Sequence, residues 1–221
     1  MMEKHYRTLR QRMVEEQLQN RGIRDQRVLT AMRTVPRHLF VPDRHRAEAY
    51  EDMPLPIGHR QTISQPYIVA LMLEALQLTG TERVLEVGTG SGYQAALLGR
   101  LAAQVYTVEI IPELAQGARR VLTRLGSTNV AVVAANGSIG WQAGAPYDAI
   151  IVAAASPTVP QPLVEQMQEG GRLVLPVGDL YSQVLLRVRK QDGTVLSEDL
   201  GGCAFVPLVG EKGWKSGAFS H

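Results

Sequence analysis

The sequence predicts an α/β fold: a doubly wound, mostly parallel sheet with an N-terminal helical extension and an antiparallel C-terminal hairpin. Short apolar strands alternate with helical segments from residue 67 onward, which is typical of a sheet covered by helices on both faces. The segments 184–189 and 194–198 flank Asp192-Gly193, a strong hairpin signal. Between a strand at 83–87 and a helix at 94–101, the chain passes through alternating glycines, which let a ligand approach the backbone closely.

Apolar periodicity gives the remaining elements in chain order. Residues 4–20 show helical periodicity, and Gly22 ends this first helix. Asp25 is a suitable N-cap for a second helix over 26–34. The other predicted helices are 67–78 and 112–125, and the other predicted strands are 105–109, 129–134, 147–153 and 171–176.

A length of 221 residues predicts a single domain with three parts. Residues 1–50 form the helical extension, 51–66 form a long loop, and 67–221 form the α/β core. A loop this long in a compact domain is usually functional or disordered. Its apolar residues, Leu55, Ile57 and Ile63, favour order.

Composition excludes several classes of partner. The net charge of +2 is too small to indicate a polyanion, and the arginines of the first fifty residues are expected on a solvated helical surface rather than an RNA-binding patch. No apolar run approaches the roughly 18 residues of a membrane span, and the N-terminus lacks a signal-peptide core. The single cysteine, Cys203, suits a reducing compartment and has no partner set for a metal. We therefore expect a cytoplasmic protein with no metal, nucleic-acid or membrane partner.

The glycine turn carries the most specific local signal. Gly88, Gly90 and Gly92 form G-x-G-x-G, whereas a dinucleotide fingerprint is G-x-G-x-x-G, and Tyr93 stands where its third glycine belongs. This spacing argues against a nicotinamide-dependent oxidoreductase. The turn resembles motif I of the class I S-adenosylmethionine (SAM) methyltransferases. The resemblance implies SAM as cofactor, held at Gly88, Thr89, Gly90, Ser91 and Gly92.

Two acids accompany the turn. Glu109 ends the next strand about twenty residues later, where an acid can accept both ribose hydroxyls. The alternative for Glu109 is a solvated charge at a strand end. Glu86 lies within the strand before the turn and is a candidate for the cofactor's ammonium group. The alternative for Glu86 is a structural acceptor for nearby backbone N–H groups.

A second, more specific pattern runs through most of the chain, in the segments 54–66, 83–93, 105–109, 137–141, 145–152, 170–178 and 205–210. Together these segments resemble the protein-L-isoaspartate O-methyltransferases. The resemblance implies that 51–66 is the active-site loop, with Thr62 and Ile63 facing the substrate and Ser64 as the active-site serine. It also implies that Val206, Pro207 and Leu208 close a groove for an extended peptide.

The chemistry of such a site is simple. An isoaspartyl carboxylate is already ionised at neutral pH and needs no general base to attack a sulfonium methyl group. The enzyme must align the carboxylate and exclude water. Ser64 would orient the carboxylate or the cofactor by a hydrogen bond, or it would serve as the N-cap of helix 67–78, or both.

Three positions depart from the family pattern. Asn136, before Gly137, stands where the family usually has an aspartate that accepts from the adenine amino group. Its amide oxygen still accepts, without the charge, so Asn136 and Gly137 are expected at the cofactor. Arg60 often is glycine and Ala153 usually is threonine in the family.

Three functions are therefore weighed. The leading hypothesis is repair of isoaspartyl residues in damaged proteins and peptides by SAM-dependent methylation of their α-carboxyl group. The alternatives are a diverged paralogue that methylates a carboxylate in one dedicated partner, and a binding module that holds SAM without chemistry. The intact glycines, Glu109 and Ser64 argue against the binding module.

Overall fold

The computed structural model describes residues 2–215 and is built on a seven-stranded sheet. The strands are β1 (Leu55–Gly58), β2 (Gln61–Ile63), β3 (Arg83–Val87), β4 (Gln104–Glu109), β5 (Val130–Ala134), β6 (Tyr147–Val152), β7 (Met167–Gly178), β8 (Gln183–Gln191) and β9 (Thr194–Cys203). The α-helices are α1 (Met2–Arg12), α2 (Gln26–Thr34), α3 (Pro66–Ala75), α4 (Tyr93–Leu101), α5 (Pro112–Arg124) and α6 (Gln161–Gln166).

The order of strands across the large sheet is β5-β4-β3-β6-β7-β8-β9. Strands β3 to β7 pair in parallel, and β8 and β9 add an antiparallel edge. The chain moves outward from β3 through β4 to β5 and then returns to the other side of β3 with β6. Ligands of open α/β sheets bind at such a switch point, beyond the carboxyl ends of the strands. The predicted fold class is confirmed.

The two faces of the sheet bury separate cores because side chains alternate along each strand. Val84 packs into a core shared with α2, α3 and α4, while Leu85 and Val87 pack into the core beneath the opposite face. All three are almost completely buried. Apolar residues on both faces of one strand are what a sheet covered on both sides requires.

The N-terminal helices pack on the first of these cores. Helix α1 continues into a π-helical turn, Met13–Leu18, and a 3-10 turn that ends at Gly22 with a φ of 100°. Helix α2 has the predicted bounds, and the side chain of Asp25 caps it by accepting from the backbone N–H groups of Arg27 and Val28. The predicted cap is confirmed.

Two of the N-terminal arginines are not solvated, contrary to the prediction. Arg37 is fully buried, donates to the carbonyl oxygens of Ala49 and Met53, and lies 5.0 Å from the ring centroid of Tyr93. Arg10 is 6 % exposed and donates to the Arg33 carbonyl oxygen. Sequence composition could not separate them from surface arginines because their partners are mostly backbone carbonyls brought close by folding.

The predicted loop 51–66 contains a β-hairpin, which is a correction. Strands β1 and β2 pair antiparallel through a tight turn at His59 and Arg60, with φ values of 51° and 57°. Positive φ at both positions of a two-residue hairpin turn is typical of type I′. Glycine is the favoured residue at the second position of this turn. The backbone conformation explains why a glycine suits position 60.

Several boundaries also differ from prediction. Helix α6 was not predicted, and β7 begins at Met167, before the glycines that suggested its start at 171. Strand β9 extends to Cys203, well beyond 198, and forms the exposed edge of the sheet. Within residues 2–215, no helix is both long and apolar enough to cross a membrane.

Candidate active site

The glycine turn is held in place by the neighbouring strand. The backbone N–H groups of Gly88 and Thr89 donate to the carbonyl oxygen of Val108 at 2.9 and 3.3 Å. Gly88, Gly90 and Gly92 all have positive φ values, of 92°, 53° and 89°. A Cβ at Gly92 would stand 3.0 Å from the Cβ of Ala118, so a side chain there meets both strain and crowding.

Glu109 organises the turn from the end of β4. One carboxylate oxygen accepts from the backbone N–H of Gly90 at 2.8 Å, and the other accepts from the N–H of Ile111 at 2.9 Å. Only 5 % of the residue is exposed. The alternative of a solvated strand-end charge is therefore wrong, because the carboxylate is buried and bonded to backbone on both sides.

Glu86 lies behind the turn, without any exposed surface. Its Oε2 accepts from the Thr107 hydroxyl, which is 2.6 Å from the hydroxyl of Thr89. Burial raises the pKa of Glu86 to about 8. Burial therefore favours the protonated acid, which reaches the turn through two threonine hydroxyls.

A cavity of about 380 Å³, here called the turn cavity, opens between the glycine turn and the segments at 61–64 and 206–209. It brings together twelve predicted site residues: Thr62, Ile63, Ser64, Gly88, Thr89, Gly90, Ser91, Glu109, Gly137, Val206, Pro207 and Leu208. Glu86, Gly92 and Asn136 do not line it. Sequence analysis missed a further set of lining residues, among them Val69, Tyr93, Gln94, Ile110 and Ile111.

The missed residues carry weak sequence signals. Tyr93 and Gln94 begin α4 directly after the turn, and Ile110 and Ile111 directly follow Glu109. Ile110 is 45 % exposed and lines the turn cavity, so its apolar surface is accessible from that space. Adjacency to the recognised motifs is the signal that could have identified them.

Asp52 holds the chain directly after the segment Thr62–Ser64. The Asp52 carboxylate accepts from the side-chain amide of Gln65 at 2.7 Å and from the backbone N–H of Tyr67 at 3.1 Å, and it pairs with Arg21. The N-cap of α3 is Gln65, with no cap hydrogen bond from its own side chain. The alternative of Ser64 as the N-cap is therefore wrong, and Asp52 bonds to the first turn of the helix instead.

The segment Val206–Leu208 is fixed at the other wall. The Ala155 N–H donates to the Val206 carbonyl oxygen at 2.8 Å, and the Leu208 N–H donates to the Ala155 carbonyl oxygen at 2.7 Å. Ala155 lies three residues beyond the end of β6, so the C-terminal segment is attached near the carboxyl ends of the parallel strands. This pairing brings residues from the two ends of the core to one cavity.

Asn136 and Gly137 follow β5, with different surroundings. The Asn136 side-chain oxygen accepts from the backbone N–H and the hydroxyl of Ser138, at 3.1 and 2.8 Å. A Cβ at Gly137 would stand 2.7 Å from Cγ1 of Val87, so this position has no room for a side chain. Gly137 thus lets the chain approach β3 at the cavity wall.

The ionisable content of the turn cavity is small. Among its described lining residues, the ionisable groups are the Glu109 carboxylate and the Tyr93 phenol. The phenol is fully buried, and burial raises the pKa of Tyr93 far above its ordinary value. With Glu109 bonded to two backbone N–H groups, neither group is placed to remove a proton from a substrate.

The volume and the lining of the turn cavity fit an adenosyl cofactor. Its volume lies within the range of small-molecule sites, roughly 300–1,000 Å³. Glycines at 88 and 90 leave the turn open, Glu109 offers acceptor oxygens, and Ile110 and Ile111 offer apolar surface. This combination of doubly wound sheet, G-x-G-x-G turn and strand-end acid defines the SAM-dependent methyltransferase class.

Comparison with known proteins identifies the family. The model of the protein-L-isoaspartate(D-aspartate) O-methyltransferase family matches residues 8–213. The chain is 58 % identical to a protein-L-isoaspartate O-methyltransferase of Geobacter metallireducens over 93 % of this chain and 95 % of that protein. It is 56 % identical to one of Methanoculleus marisnigri over 93 % of this chain and 94 % of that protein. The chain belongs to the protein-L-isoaspartate(D-aspartate) O-methyltransferase family.

Solved structures agree. A putative protein-L-isoaspartate O-methyltransferase from Plasmodium falciparum, in complex with S-adenosyl-L-homocysteine, superimposes with a TM-score of 0.79 at 26 % identity. The alignment covers 90 % of this chain and 98 % of that one. A second protein-L-isoaspartate O-methyltransferase gives a TM-score of 0.78 at 29 % identity, covering 96 % of this chain and 67 % of that one.

Proposed function

We propose that this protein transfers a methyl group from SAM to the α-carboxyl group of L-isoaspartyl residues in damaged proteins and peptides. The observation that carries the proposal is the lining of the turn cavity, whose described residues offer hydroxyl and backbone donors but no free general base. Such a site suits an acceptor that is already a nucleophile. A carboxylate meets this condition at neutral pH, whereas an alcohol or an amine would require deprotonation.

The residues that would hold SAM follow from the geometry. Glu109 would accept from the ribose hydroxyls through the lone pairs that its two backbone bonds leave unused. The turn from Gly88 to Gly92 would allow close approach, with Thr89 and Ser91 beside it. When bound, SAM supplies an electrophilic methyl group on a sulfonium.

Two predicted cofactor residues would act from behind the cavity wall. Glu86 would support Thr89 through the Thr107 hydroxyl rather than touch the cofactor. Asn136 would hold the chain at Gly137 through its bonds to Ser138, and its role toward the adenine stays a proposal.

The acceptor carboxylate would lie at Thr62 and Ser64. Both residues line the turn cavity, and the Asp52 contacts fix the backbone beside them. Ser64 would donate a hydrogen bond that orients the carboxylate, while Val206 to Leu208 close the opposite wall. Misplacement by about 1 Å costs on the order of a hundredfold in rate, which makes this fixed segment important for catalysis.

The same geometry would discriminate isoaspartyl from aspartyl residues. In an isoaspartyl linkage the backbone runs through the β-carbon, so the free carboxylate stands one methylene closer to the main chain. A groove with fixed walls at Thr62–Ser64 and Val206–Leu208 would align only this shorter arm. The product ester is labile, because the following backbone amide nitrogen attacks it, methanol leaves, and a succinimide forms. Hydrolysis of the succinimide returns some normal aspartate, which amounts to repair.

The test is a methyl-transfer assay with SAM and a pair of peptides that differ only in an isoaspartyl or aspartyl residue. We expect the isoaspartyl peptide to be labelled and the aspartyl peptide to be labelled at least about a hundredfold more slowly. Ser64→Ala should lower kcat more than it lowers SAM affinity, while Ser197→Ala, on the exposed edge strand, serves as the matched control.

Equal labelling of the two peptides, or labelling of neither, would remove the repair function. In the second case, a paralogue that methylates one dedicated partner becomes the better account. We also propose a cytoplasmic location, supported by the single cysteine, with damaged proteins rather than nucleic acids or membranes as partners.

A further inference from the structure

A second cavity of about 450 Å³ lies on the far side of the acceptor segment. It shares Thr62, Ser64, Ala153 and Val206 with the turn cavity, so these four residues form a common wall. We call this second space the flank cavity and define it by the lining residues Arg21, Ile68, Leu71, Leu200, Cys203 and Phe205.

The position of the common wall determines what the flank cavity can receive. If the acceptor carboxylate lies at Ser64 and the cofactor fills the turn cavity, the rest of the peptide must leave on the other side. The flank cavity borders the acceptor position, because Thr62 and Ser64 line both spaces, and its volume is of the order of a small-molecule site. It is therefore placed to take a group attached within one residue of the acceptor.

The lining of the flank cavity combines polar groups with one cluster of apolar side chains. Ile68 and Leu71 come from α3, and Leu200 and Phe205 come from the end of β9 and the segment after it. These four residues are all partly buried and all pack at the edge of the same core. An apolar side chain that enters here would remove its own surface and the surface of these four residues from water.

Arg21 supplies the charge at the cavity, and among its described lining residues no other is charged. The Arg21 guanidinium pairs with Asp52 and lies 3.6 Å from the ring centroid of Tyr67, so it is held on two sides. Asp52, the acid paired with Arg21, is already engaged by that arginine, Gln65 and the Tyr67 N–H, so an entering lysine or arginine would lose hydration without gaining a free acidic partner.

From this geometry we infer that the flank cavity is a specificity subsite for the residue next to the isoaspartyl residue, and that it selects an apolar side chain over a basic one. The inference rests on the proposed function, because it assumes an isoaspartyl acceptor at Ser64. Because the flank cavity lies on one side of the acceptor, its selection acts on one neighbour only, either the preceding or the following residue.

Matched peptides test the inference through KM. Each peptide carries the same isoaspartyl residue with glycine, leucine or lysine placed before it in one series and after it in another. In one series, leucine should lower KM by roughly tenfold or more relative to glycine, as expected for burial of one leucine side chain, and lysine should not. In the other series, the three KM values should agree within about twofold.

A cavity-filling variant links the preference to this place. Gly202 lines the flank cavity, and a Cβ built there meets nothing within 4 Å, so Gly202→Leu can enter the space without a backbone clash. The leucine preference should collapse in Gly202→Leu and persist in Ser197→Leu, a control on the same exposed strand. Binding of S-adenosylhomocysteine checks that each variant is folded.

Labelling of Cys203 gives a second measurement on the unmodified protein. It is the single cysteine of the chain and lines the flank cavity, so reaction with a thiol-specific aromatic disulfide, followed by the coloured thiolate that it releases, reports this site alone. Burial raises the pKa of Cys203 to about 11, so labelling is best followed at about pH 9. At equal saturation, the leucine peptide should slow labelling at least about threefold more than the glycine peptide, because only leucine fills the cavity.

The outcomes separate the two proposals. Robust methylation with equal KM values in both series, or equal labelling rates with both peptides, overturns the subsite and leaves the proposed function standing. A preference that survives in Gly202→Leu places the selection elsewhere and also overturns it. Methylation of no isoaspartyl peptide removes the proposed function, and the subsite with it.

Discussion

Replacing Glu109 by glutamine tests the centre of the proposed cofactor site. Both carboxylate oxygens are engaged, one with the N–H of Gly90 at 2.8 Å and one with the N–H of Ile111 at 2.9 Å. Glutamine has nearly the same shape, but its amide nitrogen cannot accept a hydrogen bond. Glu109→Gln therefore leaves one buried N–H without an acceptor and removes the charge that strengthens the other bond.

The magnitudes follow from these contacts. Loss of one hydrogen bond to a charged acceptor costs about 1.5–3 kcal/mol, so the free energy of unfolding should fall by about that amount. In a domain of this size the midpoint of thermal unfolding should fall by roughly 3–12 °C. If the ribose also loses its charged acceptor, the affinity for S-adenosylhomocysteine should fall roughly ten- to a hundredfold.

Calorimetry can separate the ribose contact from a disturbed turn. S-adenosylhomocysteine and its 2′-deoxyribose analogue would be titrated into the wild type, Glu109→Gln and Glu113→Gln. The last variant removes an exposed acid from the first turn of α5 and serves as the matched control. The analogue should bind about tenfold or more weakly than the parent compound in the wild type and control, but nearly equally to it in Glu109→Gln.

The result that would refute this reasoning is an equal penalty for the analogue in all three proteins. The 2′-hydroxyl would then contact another group, and Glu109 would act only by holding the turn. A fall in stability without a fall in affinity would lead to the same conclusion.

The remaining predictions concern the wall behind the cavity. Glu86 ionises near its ordinary pKa when unfolded but near pH 8 when buried, so its burial lowers stability as the pH rises from about 5 to about 8. In urea unfolding at several pH values, Glu86→Gln should show a flatter dependence, and an unchanged slope would contradict the assignment. Asn136→Asp keeps the acceptor for Ser138 and should preserve or tighten SAM binding by calorimetry, whereas a sharp loss would indicate a different contact. Gly137→Ala places a methyl group 2.7 Å from a Val87 methyl, so thermal unfolding should show a loss of about 1–3 kcal/mol, and a neutral result would mean that the strand relaxes freely.

The local sequence determined the elements of the sheet and the place of the turn. Val84, Leu85 and Val87 are apolar on both faces of one strand, which only a sheet covered on both sides accommodates. The three glycines of the turn all adopt the positive φ that their residue type permits. These features depend on neighbouring residues, so periodicity and residue type were enough to predict them.

The family resemblance supplied the acceptor segment and the closing segment, which lie more than one hundred residues apart in the sequence. Tertiary structure placed them on one cavity, through the pairing of Ala155 with Val206 and Leu208. The tertiary structure also places Asp52 against Gln65 and Tyr67, and it places Glu86 outside the lining of the turn cavity. Long-range backbone pairing of this kind leaves no periodic signal in the chain.

The sequence by itself thus determined the fold class, the glycine turn and the acid that follows it, because local propensity and spacing specify them. Only the tertiary structure decided which side chains share a cavity, which arginines are buried and that a second cavity adjoins the acceptor segment. The physical reason is that burial and long-range hydrogen bonds depend on which distant segments pack together. That packing is a property of the whole chain and not of any one motif in it.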